Sequence, residues 1–254
     1  MLDQSFIHIP GIGPTTERRL WRVGLHCWDA LLEHRDPLPG FSRGRQALLA
    51  DHVAESRRCL DLGDFGYFAR ALPPRETWRA WPQFRDRVGF LDIETTGMGA
   101  WAEVTMVGLY DGRRVRTYLH GDNLDQLPAD LEDFALLVTF NGSTFDLPFL
   151  RRRFRGLALP QIHVDLRYAL ARLGHRGGLK SIETGLGLQR DGRIAGLDGW
   201  DAVRLWQEYL AGREESLQLL VEYNTEDVVN LETLMDVAYR GLRDEAWAAT
   251  DTQP

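Results

Sequence analysis

The chain has 254 residues, 44% hydrophobic and 26% charged, the composition of an ordinary globular protein with room for one large domain or a medium domain plus a small one. Cys27 and Cys59 are too few for a disulfide framework or a zinc site and read as buried small hydrophobes. No apolar run approaches the roughly 20 residues that span a bilayer, and MLDQSFIHIPGIG lacks the regions of a secretory signal, so a cytoplasmic protein with no membrane partner is expected.

The formal net charge of -7 is unevenly spread. Residues 1–85 hold 12 arginines and 10 acids, whereas residues 86–254 hold 18 basic and 27 acidic residues. An acidic half of this kind is compatible with a polyanionic substrate if metal ions supply local positive charge. Lys180 is the only lysine. Arginine suits bidentate phosphate contacts, although genome composition explains such a bias equally well.

Along the chain, Gly13-Pro14-Thr15-Thr16 before Glu17 reads as a helix start, with Leu20 and Val23 on its apolar face and Gly24 ending it. A short helix follows over Trp28 to Glu33, then a Pro/Gly loop, RDPLPGFSRG. Residues 44–85 read as helical and then irregular. From Arg87 the pattern turns to strands: RVGFLDIET, AEVTMVGLY and RRVRTYLH, the last two joined at Asp111-Gly112, a hairpin signal. An antiparallel meander is expected. A helical stretch near 124–135, a strand in FALLVTF, a helix in STFDLPFLRRRF, a strand in LPQIHVD and a helix in LRYALARLG follow, and the rest reads as helical. This order predicts an α/β fold, a ribonuclease-H-like mixed sheet flanked by helices and preceded by a small helical region. The expected divisions are 1–38, a segment built as helix, hairpin and helix; 39–85, a helical connector; 86–245, the α/β domain; and 246–254, a disordered tail.

The strand RVGFLDIET contains two acids, Asp92 and Glu94. Alternation puts both on one face. Two neighbouring carboxylates repel and are costly to desolvate, and divalent cations such as Mg²⁺ or Mn²⁺ neutralise such a pair through oxygen ligands. A solvated strand end is the alternative. Asn141 and Asp146 lie in TFNGSTFDLPFL, at a strand end and in the first turns of the next helix. Tyr223 and Asp227 in YNTEDVVNLETL are four apart on a helix and share a stripe with Leu220, Leu231 and Leu234, so that face points inward. Asp165 reads as a helix N-cap, with a supporting place beside the site as the alternative. Arg151 to Arg155 read as a solvated helix face.

Taken together, DIETTG, the Asp146 segment and the Tyr223–Asp227 pair resemble the DEDD superfamily of 3′–5′ exonucleases, tyrosine branch, across about 140 residues, and within it the bacterial YprB-type ribonuclease-H-like proteins, in which a Gly-rich helical segment also precedes DIETTG. The resemblance implies a phosphodiester hydrolase using two Mg²⁺ or Mn²⁺ ions. Asp92 would bridge both ions, Glu94 and Asp227 would complete one site, Asp146 would hold the second, and Tyr223 would orient the attacking water. Thr95 and Asn141 are candidates for nucleic-acid contact. GGLKSIETGLGL resembles a segment of replicative-polymerase exonuclease domains, in which Lys180 and Ser181 could meet substrate phosphate; a plain capped helix is the alternative.

IPGIGPTTERRL resembles a helix-hairpin-helix motif, whose glycines, here Gly11 and Gly13, bring backbone N–H groups to a phosphate without reading sequence. It points to DNA, and single-stranded DNA is the expected partner. Use of the hairpin for packing alone is the alternative. The alternative functions are a catalytically idle nucleic-acid-binding module, a structure-specific endonuclease and an RNA exonuclease.

Overall fold

The computed structural model describes residues 1–251. Five strands form one sheet: β1 (Val88–Thr95), β2 (Val104–Tyr110), β3 (Val115–Leu119), β4 (Leu136–Thr139) and β5 (Ile162–Asp165). Their order is β3-β2-β1-β4-β5, with β1, β2 and β3 antiparallel and β4 and β5 running parallel to β1. The meander and the mixed sheet are therefore present as expected. At the β2–β3 turn the Asp111 carboxylate accepts from the backbone N–H groups of Arg113 and Arg114, each at 2.9 Å.

Four helices precede the sheet in full turns: α1 (Pro14–Arg22), α2 (Trp28–Glu33), α3 (Arg43–Asp61) and α4 (Phe65–Ala71), followed by the single-turn α5 (Trp81–Phe84). The short α6 (Leu127–Asp130) lies inside the expected 124–135 stretch, broken on both sides into 3-10 turns. The remaining helices are α7 (Asp146–Arg153), α8 (Leu166–Arg172), α9 (Leu179–Gly185), α10 (Gly199–Leu210) and α11 (Glu214–Asp251). Helix α11 continues through most of the segment expected to be disordered from residue 246, as far as Asp251; residues 252–254 lie outside the described residues. Its extension is held in part by Trp247, which stacks on Trp21 of α1 with ring centroids 4.5 Å apart.

Alternation along β1 divides the interior. Leu91 and Ile93 join the core on the α7 side with Phe149 and Leu150. Phe90 joins the core on the α11 side with Leu231, Leu234 and Met235. Asp92 and Glu94 continue the face of Phe90, so the two acids are directed toward α11.

The N-terminal helices share that α11-side core: Phe6, Trp21, Trp28, Trp78 and Trp81 belong to it along with Phe90 and Val138. A buried ion pair joins the two regions. Glu17 of α1 accepts from Ser5 Oγ, Phe6 N and Ile7 N at 2.8, 2.7 and 3.1 Å, and meets Arg79 Nη2 at 3.1 Å. Arg79 in turn donates to Glu76 at 2.7 Å. A charge this deep requires fixed partners, so the hairpin is fastened to the connector rather than tethered beside it.

Candidate metal and nuclease site

Helix α11 brings Tyr223, Asn224 and Asp227 over the end of β1. The carboxylates of Asp92, Glu94 and Asp227 each offer an oxygen within 4.8 Å of the others. Glu94 and Asp227 are buried, and Asp92 is half-buried. Burial, followed by the charge of Asp227, pushes the carboxyls of both Asp92 and Glu94 well above the usual range. Asp227 itself is raised to about 6 by burial, against the pull of Arg190.

Asp146 stands outside this trio but within reach of its field, and its charge raises both Asp92 and Glu94. Its own carboxyl is pushed to about 7, chiefly by burial. The turn that presents it depends on Asp165. That carboxylate accepts from Asn141 N at 2.8 Å, Ser143 N at 3.0 Å and Arg167 N at 3.1 Å. Asp165 thus caps α8 and also holds the loop before α7. Asn141 sits at φ 69° there. A Cβ on the following Gly142 would lie 2.2 Å from Thr139 Oγ1, so only glycine lets this loop fold back on the end of β4.

The donor set fits a hard divalent cation. All the groups are carboxylates, the preferred ligands of Mg²⁺ and Mn²⁺. Asp146 Oδ1 is buried without a hydrogen-bond partner, an orphaned acceptor that a cation would satisfy. Tyr223 is 7% exposed, and burial with the charges of Asp227, Glu94 and Asp92 pushes its hydroxyl far above its ordinary value, so it remains protonated.

Four partners of this site were not legible as such in the sequence. Asn224 Nδ2 donates to Asp92 Oδ2 at 2.9 Å. Gly108 pairs with Asp92 across the sheet, and its missing side chain leaves the space that Asn224 fills. Arg190 Nη2 meets Asp227 Oδ1 at 2.5 Å, and Glu183 holds Arg190. The two contacts that reach the acids from afar, Asn224 to Asp92 and Arg190 to Asp227, do not follow from local sequence, because they join segments 132 and 37 residues apart.

The softer candidates divide. Lys180 Nζ lies 4.5 Å from the centroid of the Tyr223 ring, buried and without a hydrogen-bond partner. Ser181 is exposed on α9. Thr95 Oγ1 donates to Gly97 O at 2.7 Å, and the Asn141 side chain accepts from Thr144 Oγ1 and Arg167 Nη1, so both are engaged in building turns. Gly11 and Gly13 belong to the N-terminal hairpin, where Gly11 O accepts from Arg45 Nη2 at 3.0 Å and Gly13 precedes the first turn of α1. No helix among the described residues is long and apolar enough to cross a membrane.

Comparison with solved structures gives a similarity to the family B DNA polymerase of the hyperthermophilic archaeon Pyrobaculum calidifontis, at 17% identity and a TM-score of 0.45 over 62% of this chain. The matched region spans 24% of that polymerase. No curated protein matches the chain by sequence. A model of the RNase_H superfamily matches residues 89–239, the span that runs from β1 through Tyr223 and Asp227. The mixed five-stranded sheet with flanking helices is the ribonuclease-H-like arrangement, and the chain belongs to the RNase_H superfamily.

Proposed function

We propose that the chain is a divalent-metal-dependent 3′–5′ exonuclease of the DEDD tyrosine branch, acting on single-stranded DNA. The observation that carries this reading is the meeting of Asp92 and Glu94 on β1 with Asp227 and Tyr223 on α11. Asp92, Glu94 and Asp227 would hold one Mg²⁺ or Mn²⁺ ion, and Asp146 would contribute to the second. Such ions, when bound, lower the pKa of water and neutralise charge on a phosphodiester. The rest falls to the chain. Tyr223, kept protonated, offers a hydrogen-bond donor beside the carboxylates and orients a water. Lys180, over the Tyr223 ring, offers positive charge to a phosphate. Positioning and charge neutralisation are what phosphodiester hydrolysis needs from protein groups.

Two further features support single-stranded DNA as substrate, one for the unpaired strand and one for DNA. The loop after β1 is closed by Thr96 N to Glu103 O at 2.9 Å and Glu103 N to Thr96 Oγ1 at 2.9 Å. It holds Met98 and Trp101 at 76% and 95% exposure, and an exposed tryptophan is a stacking surface for unpaired bases. The Gly11–Gly13 hairpin supports contact with DNA backbone, and the helical segment before DIETTG supports the YprB-type subgroup.

The test uses 3′- and 5′-labelled linear oligonucleotides and circular single strands, of DNA and RNA, with Mn²⁺ or chelator. Stepwise loss from the 3′ end of linear DNA is expected, with Asp92→Ala and Asp227→Ala inactive and folded. Undiminished degradation by those variants would sink the assignment. Cleavage of circles would replace it with an endonuclease, and preference for RNA would change the substrate. Binding without turnover in Mn²⁺ would leave only an idle binding module.

A further inference from the structure

Arg190 lies in the turn-rich segment between α9 and α10, far in sequence from every acid of the site. Its side chain is 5% exposed. Nε and Nη2 reach the two oxygens of Glu183 at 2.7 and 2.8 Å, the bidentate fork that guanidinium makes with a carboxylate. Nη2 also meets Asp227 Oδ1 at 2.5 Å. Glu183 is 1% exposed on its side chain and receives a further bond, from Asn230 Nδ2 of α11 at 3.1 Å. A buried arginine is thus fixed on one side by α9 and α11, and grips one oxygen of a candidate metal ligand on the other.

We propose that Arg190, clamped by Glu183, is a positioning residue that holds Asp227 with one oxygen engaged and the other presented to the cation. The inference rests on the metal-site reading given above. Two readings compete with it. In one, Arg190 is a competitor that occupies the cation's place. The geometry disfavours this, because Arg190 is anchored by two bonds to Glu183 and takes only Oδ1 of Asp227. In the other, Arg190 supplies positive charge alone. The planar fork disfavours that, because a point charge would not need both oxygens of a buried glutamate. Asn224 treats Asp92 in the same manner, engaging Oδ2. Hydrogen bonds to ligating carboxylates of this kind orient the ligand and typically govern metal affinity.

The experiment measures Mn²⁺ binding to the full chain without substrate, by electron paramagnetic resonance of the free ion, with circular dichroism as the fold control. Arg190→Gln, Glu183→Gln and Arg190→Lys should each weaken Mn²⁺ binding by about ten- to a hundredfold. Lysine keeps the charge and loses the fork. Unchanged binding in Arg190→Gln, tighter binding in any of the three, or wild-type binding in Arg190→Lys would overturn the proposal. If Arg190→Gln fails to fold, Asn230→Ala loosens the same clamp without stranding a charge. It should weaken binding by roughly threefold or more, and no change there would likewise overturn the proposal. A wild-type chain that binds Mn²⁺ but degrades no oligonucleotide would sink the nuclease reading and leave this one standing. A wild-type nuclease whose variants bind Mn²⁺ normally would do the reverse.

Discussion

Asn224 rests directly on the backbone of Gly108: a Cβ at position 108 would stand 2.1 Å from Asn224 Oδ1. That approach lets Asn224 donate to Asp92 at 2.9 Å from a helix packed across the sheet. Gly108→Ala should therefore displace Asn224 and release Asp92. We expect Mn²⁺ affinity to fall by about tenfold or more, with a stability loss of about 1–3 kcal/mol from overpacking. A Mn²⁺ titration beside a thermal melt checks both. Full Mn²⁺ affinity in the alanine variant would show that Asn224 does not orient Asp92.

The carboxylate cluster costs stability when no cation is bound, because its members repel and are largely buried. Asp92→Asn removes one ionisable carboxyl at nearly constant volume. The metal-free variant should melt higher than the metal-free wild type, by on the order of 1 kcal/mol, while losing Mn²⁺-dependent degradation. A melt in chelator shows the first effect and an oligonucleotide assay the second. A lower melting temperature would mean that Asp92 is stabilising in the empty site.

Proton and cation compete for the same oxygens. Asp146 and Asp227 have folded-state values of about 7 and about 6, above their unfolded values. The folded state therefore binds more protons between about pH 4 and pH 7, and the contribution of these groups is fully present below that window and lost as pH rises through it. In chelator, these two residues favour a melting temperature that falls from pH 5 to pH 8. The stabilisation by Mn²⁺ should grow over the same range, since fewer protons must be displaced. Scanning calorimetry at fixed Mn²⁺ tests this, and a Mn²⁺ effect that shrinks with pH would contradict it.

Tyr223→Phe removes the hydroxyl and keeps the ring under Lys180. Turnover should drop by about ten- to a hundredfold, with Mn²⁺ affinity unchanged. Separate measurement of kcat and of metal binding distinguishes this from a packing role, in which the melting temperature would fall and kcat would not.

Glu17 and Arg79 fasten the N-terminal hairpin, at 2% and 5% side-chain exposure. Glu17→Ala leaves Arg79 with Glu76 as its only close carboxylate among the described residues and removes an acceptor shared by three donors. The loss should be about 3–5 kcal/mol, visible as a lower denaturant midpoint for the whole chain. Two separate unfolding transitions would instead show that the hairpin folds independently of the sheet.

The strand alternation of RVGFLDIET and the helical stripe through Tyr223 and Asp227 are local properties, set by backbone periodicity, and they were legible from residue order alone. So were the meander, the Asp111-Gly112 turn and the placement of Asp165 at a helix start. The terminal segment was less legible. Its small and polar residues suggest a disordered tail, yet α11 continues as far as Asp251, with Trp247 stacked on Trp21, a contact between distant parts of the chain.

The sequence by itself determined which acids lie on inward faces, because side-chain direction follows from secondary-structure period. Only the tertiary structure decided which of them meet. It grouped Asp92, Glu94 and Asp227 and set Asp146 slightly apart. It also recruited Asn224, Gly108, Glu183 and Arg190, whose roles depend on α11 crossing β1 and on the α9–α10 turn folding back over it. Those contacts come from packing apolar faces against each other, and packing brings together residues that no local pattern relates.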